Sequence, residues 1–158
     1  MEKWDKRYNE TEGEGFPGPS ETLADLLPQL PKGRALDIAC GRGRNALFLA
    51  DNGWEVDAVD GSAVALRQGE EAAQKTGVMV NFIEVDLENY SIEAGHYDLI
   101  INFNYLDREL VPEIVKGLKK GGALLFETFT IRHSIGVRIV FEMPVLQVML
   151  GSKEPGVS

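Results

Sequence analysis

At 158 residues the chain has room for one ordinary hydrophobic core, and a hydrophobic fraction of 44% is enough to fill it. A formal charge of −9, with no run of Lys or Arg, argues against nucleic acid or an anionic membrane surface as the main partner. The lone cysteine, Cys40, excludes an internal disulfide framework and suits a reducing cytoplasm. Residues 1–10 are polar and charged, unlike a signal peptide, and no apolar run nears the ~20 residues that span a bilayer.

Residues 10–20 hold three Gly, two Pro and three Glu, and read as a loop. Leucines at 23, 26, 27 and 30 form a helical stripe over residues 21–30, with Ser20 as N-cap and Pro31-Lys32-Gly33 as the stop. Strands and helices then alternate: strand 34–39, helix 45–52, strand 54–59, helix 62–76 ended by Gly77, and strand 79–85. Strand 97–103, helix 108–119, the turn Lys119-Lys120-Gly121-Gly122 and strand 123–129 follow. Such alternation predicts an α/β domain with a doubly wound, mostly parallel sheet in three layers, α/β/α. Right-handed crossovers bring the carboxyl ends of the strands to one edge, where open α/β sheets bind ligands.

The chemistry concentrates at that edge. In Asp37-Ile38-Ala39-Cys40-Gly41-Arg42-Gly43-Arg44-Asn45 an apolar strand runs through Gly-x-Gly into a helix, which brings bare backbone close to a ligand. Asp60, followed by Gly61, closes the next strand, where an acid can take both hydroxyls of a ribose. Asp86 stands at the end of the third strand. Its carboxylate can accept from an adenine amine while the Leu87 amide binds a ring nitrogen, or it can cap a turn. One acid per strand points to an adenosine-type cofactor. Gly41, Gly43 and Ala46 also satisfy the dinucleotide pattern G-x-G-x-x-G/A, so the glycines do not decide between cofactors. Asp37 weighs against a pyrophosphate and for a cationic ligand, S-adenosylmethionine, with its sulfonium and ammonium; alternatively it caps the loop.

Asn102, Asn104 and Tyr105 close the fourth strand, where they would face the methyl group and the acceptor; Tyr105 could instead be core packing. His96 reads as a solvated loop residue and His133 as a general-base candidate; Cys40 reads as packing. No Cys/His cluster has metal-ligand spacing.

These motifs resemble class I S-adenosylmethionine-dependent methyltransferases, with a Rossmann-like core. The residues 36–43 resemble the first motif, residues 56–60 the second, and Val85-Asp86-Leu87 the third. Tyr97-Asp98-Leu99-Ile100 resembles the start of strand four, and residues 118–122 the turn before strand five. The stretch Cys40–Asn45, together with Trp4-Asp5-Lys6-Arg7-Tyr8, is similar to small bacterial tellurite-resistance-type methyltransferases. That resemblance implies an N-terminal lid within residues 1–20, with Trp4, Arg7 and Tyr8 folding over the cofactor, and Arg44 near its methionine end. It covers about residues 3 to 130 of one methyltransferase-like domain.

The expected helix and antiparallel strand pair beyond strand five have no clear counterpart in the tail, residues 131–158, so the last strands are expected to be missing or altered. Strand five would then be an open apolar edge, and such edges favour self-association, here as a twofold homodimer through the C-terminal region; alternatively the tail forms one helix and one strand that partly cover it. The resulting expectation is methyl transfer from S-adenosylmethionine to a small-molecule acceptor in the cytoplasm. The bets are Asp37, Ala39, Gly41, Gly43 and Arg44 for the methionine end, Asp60 and Gly61 for ribose, and Asp86 and Leu87 for adenine. Asn102 lines the same site. Two alternatives stand beside it: a cofactor-binding module without catalysis, and an NAD-dependent oxidoreductase, for which 158 residues leave little room.

Overall fold

The structure, a computed structural model, describes residues 18–103, 108–129, 134–142 and 145–153, with side chains for 18–103 and 109–126. Trp4, Arg7, Tyr8, Asn104, Tyr105 and His133 lie outside the described residues.

Helix α1 (Glu21–Leu26) passes into a 3-10 turn at Leu27–Gln29. One helix to residue 30 was expected. Pro28 has no N–H to donate and shortens it. Ser20 occupies the N-cap position without a side-chain cap; its backbone N–H donates to Asn45 Oδ1 at 2.8 Å. Next come β1 (Arg34–Ile38), α2 (Arg44–Asp51), β2 (Glu55–Asp60), α3 (Ala63–Thr76) and β3 (Asn81–Glu84). Ser62 caps α3 through its hydroxyl, and Gly77 ends it in the left-handed conformation. Strand β3 is shorter than the predicted 79–85. It has a neighbour on one side only, and Met79 before it is 89% exposed.

After β4 (Tyr97–Phe103) a 3-10 turn leads into α4 (Val111–Gly117) and β5 (Leu118–Phe129). The predicted helix 108–119 therefore ends at Gly117, where an added Cβ would collide with Ile92. The predicted turn at residues 119–122 lies inside β5 as an irregularity. Tyr97 pairs with Leu118, and the next pair is Leu99 with Ala123.

The sheet order is β3-β2-β1-β4-β5-β6-β7, with β1 to β5 parallel. The tail corrects the sequence reading. Strand β6 (Ser134–Glu142) pairs antiparallel with β5, and β7 (Val145–Lys153) pairs antiparallel with β6. Strand five is thus not an open edge.

Two cores flank the sheet. On one face Leu23 and Leu27 by α1, and Ala46 and Leu49 of α2, pack on Ala35, Ala58, Leu99 and Ile101. On the other, Leu110 and Ile114 cover Leu36, Ile38, Val59 and Ile100. Among the described residues no helix is long and apolar enough to cross a membrane.

Candidate functional site

Strand β1 stops at Ile38, and three left-handed residues within five reverse the chain into α2. They are Ala39 (φ 56°), Gly41 (φ 59°) and Gly43 (φ 83°). The Gly43 N–H donates to the Cys40 carbonyl at 3.0 Å, and the Gly43 carbonyl accepts from Leu47 at 2.8 Å. Ala39 has no glycine freedom, so this conformation costs roughly 1–2 kcal/mol, strain of a kind that gathers at ligand sites.

The turn rests on Phe82 of β3. A Cβ at Gly43 would lie 2.8 Å from the Phe82 ring. A Cβ at Gly69 of α3 would lie 2.7 Å from the same ring and 2.9 Å from the Arg42 carbonyl oxygen. Neither Phe82 nor Gly69 stood out in the sequence. The available signal was Gly69 itself, since an isolated glycine inside a helix costs about 1 kcal/mol and calls for a packing reason.

Two acids face this turn from one side of the sheet. By strand alternation Asp37 lies with Ala35, and Asp60 with Ala58, on the face that packs against α2. Asp60 has each oxygen on a backbone donor. Its Oδ2 accepts from Gly41 N–H at 2.8 Å and its Oδ1 from Ser62 N–H at 2.8 Å. The carboxylate therefore ties the glycine turn to the end of β2.

Asp37 is 3% exposed, and its Oδ2 has no hydrogen-bond partner among the described residues. Burial, and then the charge of Asp60, push its pKa up to about 8 against the pull of the Ala46 amide and Arg44. Cys40 is held protonated by burial and the same two acids, with Sγ 3.5 Å from the Gly41 carbonyl. It serves as packing rather than as a nucleophile.

Arg44 Nη1 donates to the Gly18 carbonyl at 3.4 Å. With the Ser20–Asn45 bond, this fixes residues 18–20 beside the start of α2. Gly61 is buried next to Asp60. The β3 corner joins the site through Val85 N–H, which donates to the Asp60 carbonyl at 3.0 Å. Asp86 there acts as a cap, accepting from Glu88 N–H at 3.1 Å and Asn89 Nδ2 at 2.8 Å, and stays exposed while Leu87 is buried. Asn102 is 2% exposed, but it shares a face with Ile100, two residues before it, and so lies on the opposite sheet face from Asp37 and Asp60.

His96 is half-buried rather than solvated. Its Nε2 lies 2.6 Å from Arg34 Nη1 and its Nδ1 3.2 Å from Glu93. It stands at the amino end of the strands, where Arg34, Trp54, Asp57 and Met79 line a groove of about 900 Å³ that includes neither Asp37 nor Asp60 in its lining. No group of metal-ligating side chains occurs among the described residues.

The sequence of residues 35–122, more than half of the chain, matches the family model described as a methyltransferase domain. The chain belongs to the methyltransferase domain family. This domain is similar to the probable S-adenosyl-L-methionine-dependent methyltransferase TehB of Haemophilus influenzae, 29% identical over 118 residues. The match takes in 73% of the chain but 39% of TehB, so the domain spans about two fifths of that relative. Two solved structures share the fold. One was determined for the conversion of a disulfide bond into a thioacetal group during echinomycin biosynthesis. It superposes with a TM-score of 0.70 at 16% identity, over 97% of this chain and 90% of that one. The other is coclaurine N-methyltransferase bound to N-methylheliamine and S-adenosylhomocysteine, with a TM-score of 0.60 at 24% identity, over 67% of this chain and 34% of that one.

Proposed function

We propose that this methyltransferase domain holds S-adenosylmethionine at the glycine turn and transfers its methyl group to a small acceptor. One observation carries the reading. A buried carboxylate, Asp37, presents an oxygen with no hydrogen-bond partner among the described residues, beside a second acid, Asp60, at a glycine turn. Two buried acids, of which the second ionises only beside a positive charge, favour a cationic ligand over the pyrophosphate of a dinucleotide. S-adenosylmethionine supplies an activated methyl group there. Of the chain's own residues, Gly41, Gly43 and Arg44 would hold the methionine end, Asp60 the ribose, and Asp86 and Leu87 the adenine. In-line positioning in a dry pocket supplies much of what such a transfer needs, so no strong base is required. By its tellurite-resistance-type resemblance the acceptor is a soft nucleophile or small metabolite. The single cysteine fits a cytoplasmic setting.

A thermal-shift series tests this. S-adenosylmethionine and S-adenosylhomocysteine should raise the melting temperature and NAD should not; stabilisation by NAD alone would reject the assignment. Turnover with any acceptor distinguishes an enzyme from a module that only binds.

Trp4, Arg7 and Tyr8 precede an anchor point, Gly18 and Ser20, that sits against the first turn of α2. A segment tethered there is suited to closing over the cofactor. Removing residues 1–12 should weaken cofactor binding while leaving the unfolding transition cooperative. Equal affinity in the shortened chain would make the segment a bystander.

A further inference from the structure

We propose that the ammonium group of the cofactor enters this site in exchange for a proton held on Asp37, so that binding releases one proton to solvent. The inference rests on the reading of the site as an S-adenosylmethionine pocket, and it concerns how that pocket solves a problem of charge.

Two carboxylates lie on one face of adjacent strands, both nearly excluded from water, with Asp37 at 3% and Asp60 at 9% exposure. Ionising both without a nearby cation is costly. The donors are shared unequally. Asp60 receives two backbone N–H groups, from Gly41 and Ser62, whereas Asp37 Oδ2 receives none among the described residues. The proton therefore belongs on Asp37. The other groups that bear on it do not replace a cation. From α2 come the Ala46 amide and the Arg44 guanidinium, the latter also engaged by the Gly18 carbonyl. From the turn comes the Cys40 thiol, which is neutral. Across β4 its partner in register is Ile101. With its pKa near 8, the Asp37 carboxyl is protonated through the neutral range.

An ammonium group brings the positive charge and the N–H donors that Oδ2 lacks. The O–H bond of the Asp37 carboxyl breaks, the ammonium keeps its protons, and one proton goes to the buffer. The same carboxyl affects the cofactor-free fold. Its folded value lies above the ordinary 3.8, so the folded state binds the extra proton, and stability falls as pH climbs from about 4 to about 8. Asp37→Asn should flatten that decline.

The test is calorimetry of S-adenosylhomocysteine, which carries the ammonium without the sulfonium. It is run at several pH values from 6 to 7.5, in buffers of different ionisation heat. The expected result is release of about one proton per cofactor, with affinity rising close to tenfold per pH unit. In Asp37→Asn the release and the pH dependence should both disappear. Binding without proton release would overturn the exchange and leave the cofactor assignment standing. Release seen with S-adenosylmethionine alone would shift the role to the sulfonium and overturn it too. Failure of both compounds to bind at every pH would remove the cofactor assignment, and the exchange with it.

Discussion

Asp60→Ala is expected to weaken S-adenosylhomocysteine binding by tenfold or more and to lower the melting temperature. Two effects act together. The ribose loses a charged acceptor, and hydrogen bonds to charged groups are worth roughly 1.5–3 kcal/mol each. The second effect is internal. The Gly41 and Ser62 amides, now both satisfied by this carboxylate at 2.8 Å, lose their acceptor. A buried donor left unpaired costs about 1–3 kcal/mol. A ribose ligand alone would predict lost affinity with unchanged stability. A staple alone would predict lost stability with little direct change in affinity. The proposed site predicts both, because one side chain joins the turn to β2 and would also take the ribose. Unchanged affinity in Asp60→Ala by calorimetry would sink the ribose assignment. Unchanged stability would show that water satisfies the two amides.

The second large effect is expected at Gly69→Ala, where two principles oppose each other. In a helix interior alanine is favoured over glycine by about 1 kcal/mol, so propensity predicts stabilisation. Packing predicts the reverse. The new Cβ would sit 2.7 Å from the Phe82 ring and 2.9 Å from the Arg42 carbonyl oxygen. The second contact is with backbone and cannot be relieved by a rotamer change. Overpacking of this kind costs typically about 1–3 kcal/mol, so packing wins. For a domain of this size each kcal/mol moves the melting temperature by roughly 2–4 °C, and a fall is expected. Cofactor affinity should fall with it, because the group displaced is the glycine turn itself. Glu71→Ala, at an exposed position of the same helix, gives the reference for helix propensity alone. A Gly69→Ala chain as stable as that reference, with full affinity, would show that α3 and the turn are not packed as described.

The glycine turn was legible in the sequence because its determinants are local. The apolar run before Asp37, the glycines at 41 and 43 and the helix after them define strand, reversal and helix within a few residues, and φ values of 59° and 83° at the glycines agree. The acids at the strand ends were legible for a similar reason, since alternation and right-handed crossovers carry each strand end to the same edge. Other features depend on contacts between residues far apart in the chain. The strand register that buries Gly117 against Ile92 cuts helix 108–119 short and draws residues 118–122 into β5. The tail's apolar residues allowed a helix and a strand over β5, and only the pairing in the folded sheet makes both segments strands, β6 and β7. Phe82 matters only because β3 lies beneath a turn formed some forty residues earlier in the chain. The state of Asp37 is decided in the same way. As a residue in a sequence it is an ordinary carboxylate. Its pKa rises only because folding removes it from water and sets Asp60, from the neighbouring strand, beside it.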